Sequence, residues 1–64
     1  MKYLERKIND LLLGRKITYR GMVYWANPDT MSIHGQSVEA QMLGSIMGYK
    51  VADITPDLKI VKVK

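Results

Sequence analysis

Arg15-Lys16-Ile17-Thr18-Tyr19-Arg20-Gly21-Met22-Val23-Tyr24-Trp25 is the stretch on which the reading of this chain turns. Its eleven residues hold three of the ten basic side chains, three of the five aromatic rings and the single Trp. Tyr, Trp, Val, Ile and Thr favour a pleated, half-buried surface, so the segment is expected to be a strand. Ile17, Tyr19, Gly21, Val23 and Trp25 then alternate with Thr18, Arg20, Met22 and Tyr24. On that reading one side packs on helices, and the other shows Arg20, Met22 and Tyr24 to solvent or a partner. Rings and guanidinium groups on one strand suit base stacking and phosphate contact, or the anchoring of a protein.

Upstream, Leu4, Ile8, Leu11 and Leu12 recur at helical spacing, which predicts a helix over residues 2–13. Arg6 and Asp10 stand four residues apart on its polar side, and Gly14 offers a left-handed cap. Downstream, Asn27-Pro28-Asp29 carries turn chemistry, and Thr30 to His34 alternates as a short strand should. Ser37 is a good N-cap, with Glu39 in the first turn of a second helix. Val38, Met42, Leu43, Ile46 and Met47 form its apolar side, and Gly48 is its expected stop. Tyr49 to Ile54 reads as a strand, Thr55-Pro56-Asp57 as a turn, and Leu58 to Val63 as a Lys-bearing strand. The expected fold is α+β, one domain over residues 1–64. It has a small antiparallel sheet, four-stranded, in the order α-β-β-α-β-β, packed against two helices.

Composition narrows the function classes. With 64 residues the chain exposes much of its surface even when folded, and its core is small. It has no Cys, which removes disulfides and thiolate metal sites, and a reducing cytoplasm suits it. One His and six scattered carboxylates give no metal pattern, and no cofactor motif is present. No apolar run approaches the roughly 20 residues of a membrane helix. The charged opening Met-Lys-Tyr-Leu-Glu-Arg-Lys gives no expectation of a secretory signal. His34 stands alone beside Gly35 and reads as a turn residue, so no nucleophile–base pair is expected and enzyme activity is not. The net charge of +4 favours acidic partners such as nucleic acid.

These readings converge on a small basic binding module, regulatory or accessory, that contacts nucleic acid. Arg15, Lys16, Arg20, Met22, Tyr24, Trp25, Lys59 and Lys62 are the expected contact residues. The two C-terminal lysines join that patch only if their strand neighbours the first; edge protection is the plainer role for them. Likewise Trp25 and Tyr19 serve as core in a chain without Phe. The competing expectation is a protein-binding regulator or inhibitor that presents Met22, Tyr24 and Trp25. A homodimer is also expected, seated on Ala40, Met42, Leu43, Gly44 and Met47, because Ala40, Gly44 and Gly48 would line one smooth helix face.

Overall fold

The computed structural model describes residues 2–44 and 48–62. The first helix is broken into α1 (Lys2–Arg6) and α2 (Ile8–Leu12), with Lys7 between them donating its N–H to the Leu4 carbonyl at 3.1 Å. The apolar side still works as the spacing requires, because Leu4, Ile8 and Leu11 are all buried. Gly14 closes α2 at φ +90. Its N–H reaches the Leu11 carbonyl and that of Arg15 reaches the Asp10 carbonyl, the paired bonds of a Schellman ending. The Arg15 guanidinium also takes the Asp10 carboxylate at 2.8 Å, so Asp10 pairs forwards with Arg15 and not back with Arg6.

The Arg15–Trp25 stretch is not one strand. It folds into a hairpin, β1 (Ile17–Tyr19) and β2 (Met22–Asn27), that turns at Arg20 and Gly21 with φ of 50 and 75. Two positive φ values in a two-residue loop define the turn whose twist matches paired strands. Gly takes that conformation without penalty, and an Arg-Gly pair lacks the Asn-Gly signature that announces it. The split makes five strands where four were expected: β3 (Ser32–Ser37), β4 (Tyr49–Ile54) and β5 (Ile60–Lys62) complete an antiparallel sheet in sequential order. The element order is therefore α-α-β-β-β-α-β-β.

Local signals account for the other junctions. The Asn27 side-chain oxygen accepts from the Asp29 N–H at 2.9 Å, as an Asx turn should. Thr55 bonds the Lys59 backbone in both directions, and its hydroxyl holds the Asp57 carboxyl below the ordinary 3.8. Ser37 caps α3 (Val38–Met42) by accepting from the Ala40 N–H at 3.1 Å. This helix is shorter than expected because Gly44, not Gly48, takes the left-handed position at φ +83. Ala40, Gly44 and Gly48 therefore do not share one helix face. Ile46 and Met47 lie outside the described residues, as does Val63 of the last strand.

The core lies between α1, α2 and one face of the sheet. Leu4, Ile8 and Leu11 meet Ile33, Ala52 and Ile54, with Ile17, Tyr24, Ala26 and Ile60 packed around them. Strand alternation sends Val23, Trp25, Ser32, His34 and Gln36 to the opposite face. Among the described residues no helix is long and apolar enough to cross a membrane.

Candidate nucleic-acid interface

Trp25 sits at the centre of the face turned away from the core, half-buried. Its cross-strand neighbour is His34 on β3, with ring centroids 6.3 Å apart and planes 15° from parallel. His34 is thus a strand residue held from its side chain, not a turn residue. Its Nε2 lies 2.9 Å from the Ser32 hydroxyl, which in turn meets the Thr30 hydroxyl at 2.6 Å. Ser32 and His34 share one side of β3, and Thr30 reaches Ser32 from the preceding turn, so the three polar groups form a line that ends on the Trp25 ring. Ser32 is 3% exposed, so this pair orients the imidazole and offers no nucleophile to a substrate.

Two glycines permit the close packing here, and one of them, Gly48, abuts the Trp25 ring. A Cβ on Gly48 would stand 2.4 Å from Trp25 Cη2 and 2.8 Å from the Gly35 carbonyl oxygen. On the other face a Cβ on Gly35 would stand 3.1 Å from the Tyr24 ring and 3.0 Å from Val51 Cγ2. The backbone at Gly35 is therefore clasped between Tyr24 below and the Trp25–Gly48 contact above. A register shift between Ile33 and His34 leaves Val51 as the extra residue of β4 and delivers it to that point.

Lys16 supplies the charge. It precedes β1, and its Nζ lies 5.9 Å from the Trp25 centroid, within cation–π range. Open grooves flank the ring on both sides. One of about 500 Å³ runs past Lys16, Gln36 and Gln41, and one of about 440 Å³ runs past Asn27, Pro28 and His34. Gln41 belongs to α3, so the end of that helix forms one wall. A half-buried indole between two grooves, with an ammonium across it, can stack a planar base and hold the neighbouring phosphate.

The remaining expected contact residues do not gather here. Arg15 neighbours Lys16 but is paired with Asp10. Arg20 stands at the hairpin tip, its guanidinium 5.3 Å from the Tyr19 ring. Met22 and Tyr24 are on the core-facing side, because the turn at Arg20-Gly21 resets the alternation. Tyr24 packs against the core, and burial pushes its phenol above the ordinary 10.0, with the Tyr49 and Tyr19 phenols adding to the shift. Met22 Sδ lies 4.0 Å from the Tyr49 hydroxyl. Lys62 ends β5 and Lys59 stands just before it, at the sheet edge four strand spacings from β1, about 19 Å away. The neighbouring-strand condition for joining them to the first patch is not met.

Of the expected dimer face, Ala40 is half-buried, and Met42 and Leu43 are exposed at 81% and 87%. Gly44 is exposed beyond the helix, and Met47 lies outside the described residues. His34, Gln36, Gln41 and Gly48 were missed as parts of the Trp25 site. Only the cross-strand register, unknown before the hairpins are placed, brings them together. Among the described residues no cluster of His, Asp and Glu is arranged to hold a metal ion. No family model matches the chain, and neither curated proteins nor solved structures show a match to it.

Proposed function

We propose that this chain is a small, basic, non-enzymatic binding module that holds single-stranded nucleic acid on the Trp25 face of its sheet. The observation that supports it most is Lys16 set across a half-buried Trp25 whose ring is braced by His34 and Gly48. Single strands are the favoured form because their bases are free to leave the stack and lie on an indole. Arg15, neutralised by Asp10, is a bystander to Lys16, and the C-terminal lysines stand at the far edge. The sequence motif survives in part: the basic-aromatic segment supplies the site, but through Lys16 and Trp25 and not through Arg20 and Tyr24.

Binding of single- and double-stranded oligonucleotides at low and moderate salt tests the reading. Affinity for the single strand falls linearly on a log–log plot as salt rises, by about 0.7 per phosphate neutralised. Lys16→Ala flattens that slope by about 0.7 and weakens binding across sequences alike. Absence of binding at low salt, or a slope that Lys16→Ala leaves untouched, removes it.

One observation favours a second reading. Met42 and Leu43 stand almost fully exposed side by side and border an apolar hollow with Glu39. Adjacent exposed apolar side chains of this size suit a protein contact, either a partner or a second copy. Met42→Glu with Leu43→Glu then converts an associating species to monomer in light scattering. A mass that is monomeric in the parent chain and unchanged in the variant rejects self-association there.

A further inference from the structure

On the core-facing side of the sheet, α1 and the β1–β2 hairpin tip enclose a second hollow, of about 260 Å³, lined by Lys2, Tyr3, Leu4, Tyr19 and Arg20. We infer that it is a binding site for a phosphate monoester carried by a nucleotide. This hollow lies on the opposite side of the sheet from Trp25 and shares no lining residue with the grooves there.

Charge is the first ground. Lys2 and Arg20 line the hollow, Lys7 Nζ lies 5.9 Å from the Tyr3 ring, and no carboxylate contributes to the described lining. The ion pairs among the described residues are Arg15 with Asp10 and Lys50 with Asp53. The two cations of the lining, Lys2 and Arg20, are thus left uncompensated, and a dianionic monoester would answer them. Arg suits it best, since its planar fork gives two parallel bonds to phosphate oxygens.

Rigidity is the second. The Tyr3 and Tyr19 rings stack with centroids 4.5 Å apart and planes 12° from parallel, which ties the hairpin to α1. The Arg20 guanidinium lies against the Tyr19 ring, so its direction is set before any ligand arrives. Preorganised cations lose less freedom on binding.

The third is backbone strain. Arg20 adopts φ +50, a conformation that Gly, Asn and Asp reach far more easily. A long cationic side chain at a position that favours a small one points to work done by that side chain. The size of the hollow, just below the roughly 300–1,000 Å³ of drug-sized sites, suits a phosphate with its ribose.

The phosphate can belong to a free nucleotide or to the phosphorylated end of a strand; only the strand-end source rests on the nucleic-acid reading above. Adenosine 5′-monophosphate and adenosine are titrated into the chain, with amide shifts followed by NMR. The monophosphate moves Tyr3, Tyr19, Arg20 and Gly21, and adenosine leaves them in place. Arg20→Ala and, as a second variant outside the strained turn, Lys2→Ala each weaken the monophosphate by about tenfold. Trp25→Ala leaves this affinity unchanged, which separates the pocket from the other face. Equal shifts with adenosine, no shifts at millimolar monophosphate, or folded variants that bind as the parent does would overturn the proposal. Oligonucleotides with and without a 5′-phosphate then identify the source. Tighter binding of the phosphorylated one, lost in Arg20→Ala, assigns the strand end, and equal binding alongside retained monophosphate affinity assigns the free nucleotide.

Discussion

Gly48→Ala lowers stability by about 1–3 kcal/mol and displaces the Trp25 ring. The added Cβ would stand 2.4 Å from Trp25 Cη2 and 2.6 Å from Cζ2, distances that packed atoms do not hold. A side chain alone could swing aside, but the third neighbour is the Gly35 carbonyl oxygen at 2.8 Å, which belongs to the sheet backbone. There is little room beneath Gly35 for that oxygen to be pushed aside, since a Cβ added there would itself stand 3.0 Å from Val51 and 3.1 Å from the Tyr24 ring. For a domain of this length total stability is roughly 3–10 kcal/mol, so the loss is a large share of the whole. Chemical denaturation followed by circular dichroism measures it. A midpoint equal to that of the parent chain would show that the two glycines do not clasp the sheet as described.

Trp25→Ala weakens single-stranded oligonucleotide binding by roughly 5- to 150-fold, the span that base–aromatic stacking of about 1–3 kcal/mol covers. Trp25→Phe retains part of the affinity, because a smaller ring still offers a π face. Both variants keep Lys16, so the salt slope stays close to that of the parent while the intercept falls. This separates stacking from charge, since Lys16→Ala does the reverse. Undiminished binding by folded Trp25→Ala places the ligand elsewhere on the molecule.

Periodicity exposed the core-forming side of the first helix without ambiguity: Leu4, Ile8 and Leu11 are buried as their spacing demands. Turn chemistry at Asn27-Pro28-Asp29 and Thr55-Pro56-Asp57, the Ser37 cap and the strand Tyr49–Ile54 were legible for the same reason. Each depends on a few adjacent residues. The hairpin at Arg20-Gly21 was hidden because Arg occupies the place where Asn normally signals the turn. Missing it reversed the side assigned to Met22 and Tyr24, since a turn between strands restarts the alternation of side chains. Helix α3 was overextended because Gly44 can serve as interior residue or as stop, and periodicity does not say which. Trp25, Lys16 and the rings at the hairpin tip were visible as ingredients. Their grouping into two surfaces required the register that pairs Trp25 with His34 and stacks Tyr19 on Tyr3.

Trp25 is the sole indole in the chain, so its emission reports on the proposed contact without a label. Titrating a single-stranded oligonucleotide at low salt should quench that emission to a plateau, and added salt should restore it. Emission that stays constant across the titration contradicts a stacked base, whether or not the oligonucleotide is bound.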